Sequence, residues 1–338
     1  MPIEILENVP LKSLTTMGVG GEARFLVHVK KTEELAQAVS WAREQKLPIF
    51  VLGGGSNTLV SDAGFPGLVI KIEIAGKVYE NVHHGARVTV GAGEVWDDFV
   101  RDTVLRNLWG IENLSLIPGT VGGAAVQNIG AYGVDARKTI VEVEAFDIEK
   151  MSTKWFAGHK CKFGYRESIF KKDKNLVVTR VIFDLPHNGT PHLDYEDVKI
   201  FFKTKGVTNP TLQNIRDAII EIRTAKMPGA GVGTAGSFFK DPVVPMGHYE
   251  ELKAQFPGLK AHLQGDNTAK LSAAWLLDKV FSLRGVRNGG AGVSEKHSLV
   301  LVNHGDASAQ EIISLANEIK RSVEEKINVV LEEEVVML

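Results

Sequence analysis

Four stretches of this chain combine residue types that could do chemistry. The first is Gly53-Gly54-Gly55-Ser56-Asn57-Thr58, which follows the apolar run Ile49–Leu52. Three successive residues without Cβ let backbone N–H groups converge on an anion, and the three polar residues behind them add side-chain donors. The same residues would also make an ordinary turn between strands. The spacing is not Gly-x-Gly-x-x-Gly and no helix clearly begins behind it, which disfavours a Rossmann dinucleotide site. The second stretch, Ile117-Pro118-Gly119-Thr120-Val121-Gly122-Gly123-Ala124-Ala125, runs on to Gly133 through Gln127, Asn128, Gly130 and Tyr132. Small residues at this density suit close approach to a flat or charged ligand, or equally a tightly packed helix-and-loop junction. The third places Arg166 between Tyr165 and Glu167, as a fixed cation or as half of a surface ion pair. The fourth, Ala235 to Pro242, sets Ser237 between Gly236 and two phenylalanines. That serine is either a turn residue or a hydroxyl in a poorly hydrated pocket, where proton donation is useful. It lacks the Gly-x-Ser-x-Gly setting of a serine hydrolase. Two glycine-rich loops in one chain favour a ligand with both a diphosphate and a planar ring, and a dinucleotide is the natural candidate.

The elements that must position these stretches follow from periodicity. Alternation predicts strands over 23–30, 49–52, 68–72, 86–90, 139–147, 176–184 and 298–303. Helical spacing predicts helices opened by Thr32, over 94–106, after Asn209 and Pro210, over 268–280, and after Ser308 with Glu311 as a capping box. A last strand is expected over 327–337, with the segment 187–209 as an irregular excursion. The flexible run Pro228 to Gly233 is the best candidate for a domain boundary.

At 338 residues the chain is long enough for two or three domains and a sizeable core. With 39 basic against 41 acidic residues it carries no basic field of the kind nucleic-acid binding requires. One cysteine, Cys161, excludes an internal disulfide and a cysteine-based metal site, and the ten histidines show no ligand spacing, so no metal is expected. No run of apolar residues is long enough for a membrane span, no basic and apolar leader is visible, and a cytoplasmic location follows.

In combination and order, VLGGGSNTLV (51–60), IPGTVGGAAVQNIGAYG (117–133), CKFGYRESIFK (161–171), AGSFFKDP (235–242), KLSAAWLLD (270–278) and LEEEV (331–335) closely resemble the MurB family, the UDP-N-acetylenolpyruvoylglucosamine reductases of peptidoglycan precursor synthesis. The resemblance runs from about Leu11 to Val335. It implies an α+β fold: two subdomains holding FAD in the manner of the vanillyl-alcohol-oxidase (PCMH) type, and a C-terminal α+β substrate domain. The implied division is 1–73 and 74–226 for the FAD subdomains, with a substrate lid over 187–209, then 227–326 for substrate, and 327–338 as a strand returning to the active site. It puts Gly53, Gly54, Gly55, Ser56, Asn57 and Thr58 at the FAD diphosphate and Gly119, Thr120, Gly122 and Gly123 along the flavin. It makes Arg166, Ser237 and Glu334 catalytic, and assigns Tyr165, Tyr195, Lys226 and Asp241 to the substrate. Tyr195 marks the type I branch, whose loop closes over the substrate diphosphate. The implied reaction takes hydride from NADPH and reduces the enolpyruvyl group of UDP-N-acetylglucosamine enolpyruvate to give UDP-N-acetylmuramate. FAD is expected to be non-covalent, because no His or Cys lies within 51–60 or 117–133, and a monomer is expected.

Three departures stand out. Asp241 occupies a position where the family usually carries Asn, Thr15-Thr16-Met17 replaces an Asn-Thr-aromatic motif, and Glu333 replaces a common proline, so that three acids run together. The alternatives are another FAD-dependent oxidoreductase of the same fold and a nucleotide-binding protein without catalysis.

Overall fold

The computed structural model describes residues 3–229 and 231–338. The chain divides into two compact units, one made of 1–9, 23–54 and 66–225, the other of 10–22, 55–65 and 226–338. One of the divisions therefore passes through the glycine loop, between Gly54 and Gly55.

The first unit contains two sheets. In the smaller, the strands run Leu6–Pro10, Glu22–Val29, Phe65–Ile72, Ile49–Leu52. The last two are parallel, with Leu52 opposite Lys71. A parallel neighbour needs a crossover, which for this pair is the segment 53–64 with the glycine loop at its start. Helix α1, Thr32–Glu44, connects Glu22–Val29 to Ile49–Leu52 and buries Leu35, Ala38, Val39 and Ala42. Its start is fixed by the Glu34 carboxylate, which accepts the N–H groups of Lys30 at 2.7 Å and Lys31 at 3.1 Å.

The larger sheet is antiparallel, in the order Ser152–Ala157, Ile140–Asp147, Leu176–Pro186, Gly85–Gly91, Lys77–Val82. Helix α2, Trp96–Leu105, buries Trp96, Phe99, Val100 and Val104. Phe99 and Trp96 meet Phe183 of the sheet at 4.9 and 6.0 Å between ring centroids. Full burial of aromatics of this size contributes about 1.5–3 kcal/mol each. Helix α3, Val121–Gln127, joins the same core through Val121, Ala124 and Ala125.

The segment expected to be irregular, 187–209, contains helix α4, Glu196–Lys205. Its buried stripe is only Val198 and Phe202, which is too short to read as a period. The end signals are present: Glu196 and Asp197 in the first turn, Lys203 and Lys205 in the last, and Gly206 beyond at φ +67°. Helix α5, Leu212–Lys226, is opened by Thr211 and not by Asn209. Thr211 Oγ1 accepts the Asn214 N–H at 3.2 Å and Asn214 Oδ1 accepts the Thr211 N–H at 3.1 Å. Val198 and Phe202 share a small core with Ile215, Ala218, Ile219 and Tyr132.

The second unit has a four-stranded antiparallel sheet, Gly233–Ser237, Val300–Asn303, Ala291–Val293, Arg287–Asn288, and a three-stranded one, Val243–Pro245, Thr268–Leu271, Ala261–Leu263. The helix expected over 268–280 is thus half strand. Ala269 and Leu271 alternate inward and are buried, and only from Ala273 does the chain turn helical, widening into a π turn over Leu276–Val280. Helix α6, Ala309–Ile327, has the expected capping box, with Ser308 Oγ accepting the Glu311 N–H at 3.1 Å and Glu311 accepting the Ser308 N–H at 2.8 Å. It runs through Ile327, where the last strand was expected to begin, because Ile327 completes the buried stripe Ile312, Leu315, Ile319, Val323. Asn328, at φ +51°, ends it. The terminal strand shrinks to Val336–Met337, parallel to Thr58–Leu59.

Candidate active site

In the first unit the two glycine-rich stretches meet backbone to backbone. A Cβ built on Gly54 would lie 2.6 Å from Gly119 Cα, and one on Gly53 would lie 3.1 Å from Thr120 Oγ1. Gly54 tolerates no side chain without parting the loops, and at Gly53 the Thr120 side chain would have to give by a few tenths of an ångström. Gly122 is constrained from the other side, where a Cβ would stand 2.8 Å from Ala92 Cβ. Thr120 caps α3, its Oγ1 accepting the Gly123 N–H at 3.4 Å. Lys71, on the strand beside Ile49–Leu52, donates from Nζ to the Gly53 carbonyl. Burial lowers the Lys71 ammonium from its ordinary value, with Glu73 opposing.

Arg166 sits in a tight turn. Gly164 and Glu167 exchange backbone hydrogen bonds of 2.9 and 3.3 Å, leaving Tyr165 and Arg166 as the two central residues. Arg166 has φ +55°, in the left-handed region where a side chain costs about 1–2 kcal/mol. The turn is held from its neighbours: Asn128 Nδ2 donates to the Gly164 carbonyl at 2.7 Å, and Lys171 Nζ donates to the Arg166 carbonyl at 2.9 Å. The guanidinium donates from Nη2 to the Gly130 carbonyl at 2.8 Å and lies 5.3 Å from the Tyr165 ring centre. The sequence reading singled out Arg166 and Tyr165 but gave no part to Asn128, Gly130 or Lys171, although all three lie within its quoted motifs.

Tyr195 is the residue before α4, and its ring meets that of Tyr132 edge-on at 5.3 Å. Tyr132 also bonds to Arg223, and burial pushes its hydroxyl up to about 12. Asn113 Nδ2 ties the segment in place by donating to the carbonyls of Tyr132 at 3.0 Å and His192 at 2.9 Å. Cys161 is buried and its thiol is pushed up to about 12 by that burial, so it is no nucleophile.

In the second unit Ser237 ends the strand Gly233–Ser237, opposite Val300. Gly236 before it has φ +76°, a conformation that a side chain would strain. Phe238 and Phe239 behind it are fully buried, which anchors the backbone on which the hydroxyl is carried. The acidic run lies against this segment: the Glu334 N–H donates to the Phe238 carbonyl at 2.8 Å and the Lys240 N–H donates to the Glu332 carbonyl at 2.9 Å. Glu332 pairs with Lys240 at 3.0 Å and Glu333 with Lys320 at 2.7 Å, while the Glu334 peptide stands beside Phe238 on one side and accepts from Asn57 Nδ2 at 3.0 Å on the other. The Asn57 carbonyl in turn accepts the Val336 N–H at 3.0 Å. Ser237, Glu334 and the Asn57 end of the glycine loop are thus neighbours on one ladder.

Gly55, at φ +66°, leaves no room for a Cβ, which would lie 2.0 Å from the Leu14 carbonyl oxygen. Beside it Thr16 donates from its N–H to the Gly55 carbonyl at 3.1 Å and from Oγ1 to the Thr234 carbonyl at 2.6 Å. Met17, which stands in place of the family's aromatic, is fully buried in the core of this unit. Asp241 Oδ1 accepts the Ala273 N–H at 2.9 Å, so the acid at this position holds the start of the short helix Ala273–Trp275. Lys226 closes α5. Among the described residues no cluster of His, Cys, Asp and Glu could hold a metal ion, and no helix is long and apolar enough to cross a membrane.

Comparison with known proteins agrees with this geometry. Residues 23–150 match an FAD binding domain and residues 228–338 match the UDP-N-acetylenolpyruvoylglucosamine reductase C-terminal domain. Proteins named UDP-N-acetylenolpyruvoylglucosamine reductase are 39% identical in Pseudomonas aeruginosa over 337 residues and 40% identical in Pseudomonas putida over 338, covering 99% of this chain and 99% of each relative. The chain belongs to the UDP-N-acetylenolpyruvoylglucosamine reductase family. The crystal structure of the family member from Thermus caldophilus aligns with 100% of this chain and 99% of its own, at 28% identity and a TM-score of 0.68.

The FAD that this family uses fits the residues present. In the first unit the seam of Gly53, Gly54, Gly119 and Thr120 is bare backbone wherever a Cβ would intrude. In the second, Thr15 next to Gly55 has a buried hydroxyl with no hydrogen-bond partner among the described residues, which a ligand oxygen would satisfy. Besides Asn128, Gly130 and Lys171, sequence reasoning missed residues that lie outside the quoted motifs. Lys71 lies in a strand, and Asp97, Arg216 and Arg223 lie in helices, where a charged residue reads as a solvated face.

Proposed function

We propose that this chain reduces the enolpyruvyl group of UDP-N-acetylglucosamine enolpyruvate to give UDP-N-acetylmuramate, with NADPH as hydride donor and FAD as cofactor, in peptidoglycan precursor synthesis. The likeness to reductases of that name over 99% of the chain carries the reading. FAD, when bound, accepts hydride from NADPH and passes it to the vinyl carbon of the substrate. Everything else falls to the protein's own groups.

Gly53, Gly54, Gly55, Ser56, Asn57 and Thr58 serve the FAD diphosphate with backbone and side-chain donors, and Gly119, Thr120, Gly122 and Gly123 line the flavin. As hydride arrives at the vinyl carbon, negative charge develops on the neighbouring carbon and its carboxylate. Arg166, a permanent cation on a rigid turn, stabilises that charge, and such preorganised electrostatics usually contribute most to catalysis. The Ser237 hydroxyl delivers the proton that completes the reduction. A serine is a weak acid, and it suffices because the carbon it protonates is a strong base at that moment and water is excluded. Glu334, fixed by its peptide beside Phe238, orients the donor. Tyr165, Tyr195, Lys226 and Asp241 serve the UDP part of the substrate, with Asp241 acting through the backbone it holds. A monomer in the cytoplasm completes the proposal.

The test is a stopped-flow record of flavin absorbance on the FAD-loaded protein. NADPH should bleach the flavin, and UDP-N-acetylglucosamine enolpyruvate under anaerobic conditions should restore it with formation of UDP-N-acetylmuramate. Bleaching without restoration would leave a flavin reductase of another substrate. Acid precipitation should release the flavin, and colour retained on the pellet would mean a covalent link.

A further inference from the structure

Leu116 has a left-handed backbone, φ +58°, which a leucine adopts only when its surroundings hold it there. Its peptide groups are gripped on both sides. The N–H donates to Asp97 Oδ1 at 2.5 Å, and the carbonyl accepts from Arg223 Nε at 3.2 Å. Asp97 lies in the first turn of α2 and is itself clamped, because Arg216 donates Nη1 to Oδ1 at 2.7 Å and Nη2 to Oδ2 at 2.8 Å. Arg216 is only 6% exposed. A two-pronged pair of this kind fixes angle as well as distance. Arg216 and Arg223 are seven residues apart on α5, about two helical turns, so both project from one face. One helix face therefore holds Leu116 from both ends, directly through Arg223 and through Asp97 by way of Arg216.

Three residues beyond Leu116 comes Gly119, whose Cα packs against Gly54. Between them Ile117 and Pro118 leave little slack, since proline fixes its own φ and restricts the residue before it. An error in the direction of the Leu116 peptide is thus passed on to Gly119 and Thr120. Burial alone would raise the Asp97 carboxyl, yet the Arg216 bonds and the Leu116 N–H outweigh it and hold the group below the ordinary carboxylate value.

We propose that Arg216 and Asp97 are positioning residues for the flavin-side loop: through Leu116 they set the direction in which Gly119 and Thr120 enter the cofactor site. The proposal rests on the reading that 119–123 lies along the flavin. Neither residue touches the reacting atoms in this account. Their effect is on how tightly the flavin is held and on its electronic surroundings.

The experiment uses the full chain and three readouts: the FAD dissociation constant from flavin fluorescence, the flavin reduction potential, and the unfolding midpoint. Arg216→Lys keeps the charge and loses one prong, and should weaken FAD binding about tenfold, the scale of one charge-assisted hydrogen bond, with a shifted potential. Asp97→Asn keeps an acceptor for the Leu116 N–H, and should retain FAD better than Asp97→Ala. A lowered unfolding midpoint in these variants with unchanged FAD affinity and potential overturns the proposal, as does equal FAD affinity in Asp97→Asn and Asp97→Ala. Should Arg216→Lys fail to fold, the two Asp97 variants decide alone. Gly54→Ala is the control for the underlying reading, since its Cβ would press on Gly119. If Gly54→Ala and the Arg216 and Asp97 variants all leave FAD affinity intact, the loop is not at the flavin. If only Gly54→Ala weakens it, the loop assignment stands and the positioning role of Arg216 and Asp97 fails.

Discussion

The Arg166 turn and the Ser237–Glu334 ladder are held by opposite means. Arg166 is positioned by side chains: Asn128, Lys171 and its own guanidinium bond to carbonyls around a backbone that is strained at φ +55°. Ser237 and Glu334 are positioned by main chain: a strand end at Val300, a peptide bond from Glu334 to Phe238, and two fully buried phenylalanines. A side-chain scaffold holds a half-buried, strained turn only as long as each donor is present. A main-chain ladder is indifferent to most side chains but intolerant of changes in backbone conformation. The proposed cation and proton donor should therefore respond to different classes of mutation.

The largest effect belongs to the ladder's own functional group. Hydride transfer from NADPH to flavin creates no carbon base, so Ser237→Ala should leave that step alone while slowing re-oxidation by substrate about 10²–10⁴-fold. Stopped-flow absorbance resolves both phases, and equal slowing of the two would place the hydroxyl in the flavin pocket instead. Next comes the turn's scaffold. Asn128→Ala removes the donor to the Gly164 carbonyl, a bond of about 1–1.5 kcal/mol. It should slow the substrate step roughly tenfold while the NADPH step keeps its rate, and an unchanged substrate step would show that the turn holds itself.

A smaller effect is expected from Gly236→Ala. No atom lies within 4 Å of the new Cβ, so only the left-handed φ of +76° penalises it, by about 1–2 kcal/mol. Urea unfolding measures this directly, and a neutral result would mean that the ladder relaxes. The smallest is a pH effect in the first unit. Asp97 has a folded-state pKa below its ordinary value, so its contribution is complete above the ordinary carboxylate range and is lost as pH falls through the folded value. Asp97→Asn should therefore be less stable than the parent near neutrality, with the gap closing in acid. A gap that widens in acid would reverse the assigned sign.

Much of this was legible in the residues. Ser308 and Glu311 announced the last long helix because a capping box is a local code, and the Leu35, Val39, Ala42 stripe announced the first. The motifs around Arg166 and Ser237 drew attention to two stretches that the structure holds by tight turn and strand end. What was hidden depends on partners distant in sequence. Thr268 to Leu271 scans as helix with the residues after it, and becomes strand only because Val243–Pro245 and Ala261–Leu263 flank it. The helix Glu196–Lys205 buries two residues, too few to show a period, and the charges at its ends went unread. Arg216 and Arg223 look like the solvated face of a helix until Asp97 and Leu116, about a hundred residues earlier, supply their partners. Glu332 and Glu333 pair with Lys240 and Lys320, partners that no local reading could have found.

The pairing of Val336–Met337 with Thr58–Leu59 has a consequence in time. Asn57 and Glu334 are 277 residues apart, and at about 5–20 residues per second a ribosome takes roughly 15–55 seconds to cover that distance. Throughout that interval the Thr58–Leu59 edge and the Asn57 amide are made but have no native partner, and over its last part, once residue 225 has been added, the segments 23–54 and 66–225 of the first unit are already complete. The nascent chain is thus expected to hold a finished first unit with a loop of 55–65 waiting in it. That loop is the stretch most exposed to proteases or chaperones before release, and limited digestion of stalled chains should cut there first.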